Sequence, residues 1–385
     1  MYIFDEQIAL EKIDTDFKRN VKAAKEFKEA TLQNMNDMQK LYAIDELPKA
    51  QKPSYKSKRL KIEGNVLVRS TCTSEIVFIP AGVTEIGNEA FKNRDRGTFK
   101  IIFPEGLKKI GCSAFEGCSK LIEIDVKDPD LCYYADISAD DEIDQFYRGF
   151  SIFPSSLEEI GDNAFRSFGD NAHGFGQNLM NYLILPQSLT KLGKGAFEDS
   201  GVRTIYIAGP QTVSERCFLG SGLRKVIFGD NVKKIERIAF GCCSRLEKVV
   251  FGRNIKEIGD WAFDFCGALK KISFPDSLEK IGKNAFSDCG LLTRVEIPDS
   301  VTEIGENAFS KCKNLKEVKI GKGLTAIPEC CFSNCSKLKK VIIPDNVTDI
   351  SPLAFKNCSD FTIFGKLGSY AETYAKENNI PFLAL

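Results

Sequence analysis

Histidine and tryptophan are almost missing: the 385 residues contain one of each, His173 and Trp261. A single His removes His-based triads, His-rich metal sites and His proton relays from consideration. Net charge is missing too, because 53 Lys and Arg meet 53 Asp and Glu. Such a chain has no bulk field to hold it on nucleic acid or an anionic membrane, and only a local patch could do so. No run approaches the roughly 18 apolar residues that a membrane-spanning helix needs. The opening MYIFDEQIALEKIDTDFKRN places Asp5 and Glu6 where a secretory leader carries basic residues and then an apolar run. As the sequence stands a cytoplasmic location is expected, with a cell-surface or secreted one if a leader has been removed. P-loop, Gly-x-Ser-x-Gly and kinase signatures are all lacking.

What is abundant is Phe, at 29, and Cys, at 14, in otherwise ordinary globular composition (43% hydrophobic, 28% charged). The Phe are periodic. They recur at 91, 115, 165, 197, 218, 240, 263, 286, 309, 332 and 355, at intervals that settle to 23 in the second half. Each follows Ala, except where Cys217 and Cys331 replace it, and each has an aliphatic residue five positions earlier, from Ile86 to Ile350. A fixed period of this size marks a solenoid, in which each unit buries its apolar edge only by stacking on its neighbours.

The clearest unit, LTRVEIPDSVTEIGENAFSKC, begins at Leu292. Leu292, Val295 and Ile297 alternate as a short strand, and Pro298 ends it because proline cannot continue a ladder. Asp299-Ser300 supplies a turn, Val301 and Ile304 a second apolar pair, and Gly305 a tight change of direction. Ala308-Phe309 is expected to close a short helical or 3₁₀ turn. The pattern L-x-x-V-x-I-P-x-x-V-x-x-I-G-x-x-A-F-x-x-C resembles the BspA-like leucine-rich repeat, named for a bacterial surface antigen. The resemblance runs from about Gly64 to Leu385. It implies an α/β leucine-rich-repeat solenoid of about 11–12 coils, an opening hairpin over EGNVLVRSTCTSEIVFIP and a cap over the final residues.

Three units are expected: a helical segment and linker over 1–60, the solenoid over 61–360, and the cap over 361–385. In the first, Leu10, Ile13, Phe17, Val21, Ala24 and Phe27 recur at helical spacing. Such a helix either covers the open end of the stack or binds a partner. The solenoid carries insertions near 127–150 and 166–178. The first is acidic, with eight carboxylates from Asp125 to Asp144; a weak Ca²⁺-binding or enzymatic reading attaches to it, but D-x-D-x-D-G spacing is absent. His173 sits in the second, among glycines. Seven Cys follow the repeat Phe by three residues: 118, 243, 266, 289, 312, 335 and 358. No C-x₂-C pair offers metal spacing, and side chains pointing in parallel suit a disulfide poorly. Buried thiols acting as small hydrophobes are expected, and no cofactor.

Function then falls to the outward positions of each strand. Between the inward Val and Ile stand Phe78, Ile102, Ile152, Ile184, Tyr206, Ile227 and Val250, after which the row turns polar. One residue before Val stand Lys225, Lys248, Lys271 and Arg294. Cross-strand stacking accounts for the first row structurally, and nearby Glu247, Glu296 and Glu317 for a solvated second one. The functional reading is a non-catalytic surface for a protein or peptide ligand bearing acidic groups, with no nucleic acid and no membrane insertion. The resemblance implies adhesion or host recognition; free thiols favour a cytoplasmic scaffold.

Overall fold

A computed structural model describes residues 59–72, 76–94, 100–121, 123–126, 150–169 and 182–385. The amphipathic N-terminal segment, most of the acidic insertion and His173 lie outside these residues. The described chain opens as a hairpin, β1 (Leu60–Glu63) and β2 (Val66–Ser70), antiparallel around Gly64, whose φ is +62°. Strand thus begins at Leu60, inside the stretch expected to be linker. From β2 onward every strand pairing is parallel.

Most coils contribute one strand of three or four residues on one side and a two-residue strand on the other. Lys225–Phe228 shows why the longer strands form. Val226 and Phe228 point in and are buried, while Lys225 and Ile227 point out and are half-buried, the period-2 pattern of a sheet with one wet face. In-register stacking sets Ile184, Tyr206, Ile227 and Val250 side by side. The long-strand ladder is interrupted twice. Ser151 occupies an inward position at 0% exposure, and its hydroxyl accepts the Ile124 amide at 3.0 Å where a backbone carbonyl would otherwise serve. Lys271–Ser273 lacks strand pairing altogether.

The two-residue strands carry an alternating-charge ladder. Glu85, Lys109, Glu159 and Lys191 follow one another, then Lys234, Glu257, Lys280 and Glu303. Lys191 lies 2.6 Å from Glu159, Lys234 3.1 Å from Glu257 and Lys280 2.8 Å from Glu303. Exposed pairs are worth about 0–1 kcal/mol each, so their larger effect is on register: slipping by one coil would set like charges together.

The Ala-Phe segment is not helical. Asn307 and Lys311 have φ of +58° and +59°, and one such residue precedes and one follows most repeat Phe. A left-handed residue every fourth position prevents a helix. Alternate amides turn to the next coil instead: Asn307, Phe309 and Lys311 donate to the carbonyls of Glu329, Cys331 and Ser333 at 3.1, 2.9 and 2.7 Å. Ala308 and Ser310 donate back within the turn. The helical turns expected there are therefore replaced by a further inter-coil ladder, and the helix among the described residues is α1 (Tyr370–Glu377) in the cap. Gly305 likewise serves a different end from that expected. At the equivalent Gly282, a Cβ would lie 2.6 Å from the Asp260 amide nitrogen and from the Gly259 carbonyl carbon. The glycines are needed for close approach of neighbouring coils.

The interior is a file of Phe rings. Phe165, Phe197, Phe218, Phe240, Phe263 and Phe286 stack with centroids 5.1–5.3 Å apart and planes within 7°. Beside it runs the Cys file. Cys243, Cys266, Cys289, Cys312 and Cys335 each donate Sγ–H to the carbonyl of the preceding coil's repeat Phe, at 3.1–3.4 Å. A thiol is small enough for the packed interior and still a donor for a buried carbonyl. Burial pushes the Cys243 and Cys312 thiols up to about 12, and those of Cys266 and Cys289 well above their ordinary value.

Candidate functional site: the open strand face

The outward side of the long strands bears two rows. Phe78, Ile102, Ile184, Tyr206 and Ile227 are half-buried along the first, flanked by their neighbours above and below. Val250 does not belong among them as an exposed member, because it is only 7% accessible. Ile152 continues the backbone register with Ile184, but its side chain lies outside the described set. Asp125 interrupts the row and is matched by Lys100 at 3.1 Å. The structure thus brings Ile184, Tyr206 and Ile227 together on one continuous sheet, with Phe78 and Ile102 on a separate three-stranded one.

The second row divides by charge. Arg294 lies 3.7 Å from both Glu296 and Glu317. Lys340 is 3.4 Å from Glu317 and lies over the Phe364 ring at 5.2 Å. Lys319 pairs with Glu296, and Lys100 with Glu123 at 2.5 Å. Arg294, expected as part of a continuous basic row, is therefore neutralised. Lys225, Lys248 and Lys271 have no carboxylate within ion-pair distance among the described residues. Glu247, expected to relieve them, turns instead to Arg224 at 3.7 Å. Lys225 and Lys248 stand side by side in register. Partial burial and the neighbouring Lys248 ammonium both hold the Lys225 amine below its ordinary value. Among the described residues these two neighbouring cations repel without a counter-charge to offset them.

Reading the second row only from Lys225 onward missed two exposed apolar members ahead of it. Ile76 is 40% exposed and Tyr182 45% exposed, and Tyr182 is in register with Thr204 and, through it, Lys225. The signal was the same alternation, followed further toward the N-terminus. Among the described residues no group of three His, Cys, Asp or Glu could hold a metal ion, and no helix is long and apolar enough to cross a membrane.

The model of the BspA type leucine rich repeat region matches in six copies, over 61–169, 168–291 and 233–362, more than three quarters of the chain. The chain belongs to the BspA type leucine rich repeat family. Solved structures of similar fold include a leucine rich cell surface protein from Faecalibacterium prausnitzii (20% identity, 79% of this chain and 86% of that one, TM-score 0.40). A leucine-rich repeat protein from Bacteroides ovatus is 23% identical over 84% of this chain and 96% of its own, with a TM-score of 0.43. The pneumococcal vaccine antigen PcpA is 18% identical over 84% and 95%, at 0.38. The comparison with curated proteins gives no match. In this BspA-type chain the repeat residues account for the Phe and Cys files.

Proposed function

We propose that this BspA-type solenoid is a non-catalytic protein-binding module whose open strand face is the recognition surface. The observation that carries the reading is a contrast between the two sides of the coil. The two-residue strands match most of their charges internally, whereas the long strands present Ile184, Tyr206 and Ile227 beside lysines left unmatched. An apolar stripe with a charged margin is the usual composition of a protein contact surface. Adhesion or host recognition at a cell surface follows from the family's namesake, and residues 61–360 with the cap over 361–385 would act as one module. A second reading, a cytoplasmic scaffold, is favoured by the buried thiol file, which suits a reducing compartment.

The test is the combined variant Ile184→Ser, Tyr206→Ser and Ile227→Ser. It should lose peptides selected on the native protein from a displayed random library while melting within about 3 °C of it, a shift on the order of 1–2 kcal/mol for a chain of this length. A collapse in stability with retained binding would assign the row to cross-strand support.

A further inference from the structure

On the same face, and among the described residues, the other cationic side chains of the second row, Lys100, Arg294 and Lys340, each have an acidic partner in their own or an adjoining coil; three consecutive ones do not. Lys225, Lys248 and Lys271 occupy equivalent positions in successive coils, and the first two are in register. Coils repeat every ~4.8 Å, so the three Cα atoms span roughly 10 Å. Two residues further along the strands, about 6.7 Å across the face, run Tyr206 and Ile227. A chain lying along the stack between the rows would meet cations on one side and apolar side chains on the other.

We propose that Lys225, Lys248 and Lys271, with Tyr206 and Ile227, form the docking site for an extended segment of a partner protein in which acidic and apolar residues alternate. The proposal rests on the reading of the strand face as the interaction surface. In an extended segment, side chains at i and i+2 point the same way about 6.7 Å apart. Two carboxylates so placed fall within the span of the three ammoniums, and the intervening apolar side chains fall on the Tyr206–Ile227 row. The partner relieves the repulsion that the described residues leave uncompensated, which is what complementary charge contributes to recognition. The apolar row argues against an anionic polysaccharide, which would cover it with hydroxyls.

Random peptides displayed on phage and selected on the intact chain supply the probe, with heparin as the polysaccharide comparison. Recovered peptides should alternate Asp or Glu with aliphatic or aromatic residues. Their affinity should fall about tenfold in the triple variant Lys225→Gln, Lys248→Gln, Lys271→Gln, as expected for the loss of two partly exposed carboxylate–lysine contacts. It should also fall with added salt, and be unchanged in Lys319→Gln, whose charge already pairs with Glu296. Recovery of peptides without acidic enrichment, indifference to the triple variant, binding of heparin alone, or no recovered peptide would each overturn the proposal. Peptides indifferent to the lysines yet lost with Tyr206→Ser and Ile227→Ser would overturn the acidic specificity alone. Indifference to both sets would remove the strand-face reading as well.

Discussion

Replacing one ring of the Phe file should cost more in the middle of the stack than at its beginning. Phe263 is fully buried and meets three rings: Phe240 at 5.1 Å and Phe286 at 5.2 Å, both parallel within 4°, and Phe251 edge-on at 6.1 Å. Phe91, 2% exposed, stacks on Phe115 at 4.8 Å. Truncating a buried Phe to Ala costs about 3–5 kcal/mol, and each aromatic pair adds about 0.5–1.5 kcal/mol. Two extra pairs therefore make Phe263→Ala about 1–3 kcal/mol worse than Phe91→Ala. The lone Trp261 lies two residues from Phe263 and is held by Arg237, whose guanidinium is 5.2 Å from the indole. Guanidinium unfolding followed by Trp261 fluorescence reports the central coils, while far-ultraviolet circular dichroism reports the whole stack. In a solenoid with nearest-neighbour coupling, Phe263→Ala should move the fluorescence transition well below the dichroism one. Phe91→Ala should leave fluorescence close to wild type. Equal fluorescence shifts for both variants would refute the stacked-coil energetics.

Other consequences are as direct. Ile238 holds φ +56°, a conformation unfavourable for a β-branched residue, whereas Asn stands at the equivalent 284 and 307. Ile238→Asn should therefore stabilise the protein by about 0.5–1 kcal/mol in denaturant titrations. Gly282→Ala should destabilise by about 1–3 kcal/mol or more, because the backbone of the preceding coil must shift to admit the Cβ. The thiols of Cys243 and Cys312 ionise more easily in the unfolded chain than in the folded one, near 9 against about 12. Their contribution is complete below pH 9 and is lost as pH rises toward 12, at about 1.4 kcal/mol per unit and thiol; unfolding titrations at pH 8 and 10 should show the fall. Exposed Cys112 and Cys242 should react with a thiol reagent in the folded state, ahead of buried Cys266 and Cys289.

Period, family and interior were legible because a solenoid repeats its burial pattern. The Ala-Phe pair and the Cys three residues on mark the same place in every coil, and alternation within L-x-x-V-x-I separates inward from outward positions. The turn conformation was not legible. Lys311 and even Trp261 and Ile238 hold left-handed φ values that no residue preference announces, since inter-coil hydrogen bonds impose them. The role of the glycines was misread for the same reason, the constraint being a neighbouring coil. At the candidate surface, sequence located both rows but could not assign counter-charges. Glu247 pairs with Arg224, and among the described residues three lysines are left without a carboxylate at ion-pair distance.

The central claim, that the long-strand face is where partners bind, is tested most directly by photo-crosslinking in cells expressing the protein. A benzophenone amino acid placed at Tyr206 or Ile227 should yield covalent adducts with a discrete partner, identified by mass spectrometry. The same probe at Lys191 or Lys234, on the charge-matched opposite strands, should yield none. Adducts from Lys191 and Lys234 with none from Tyr206 and Ile227 would contradict the account.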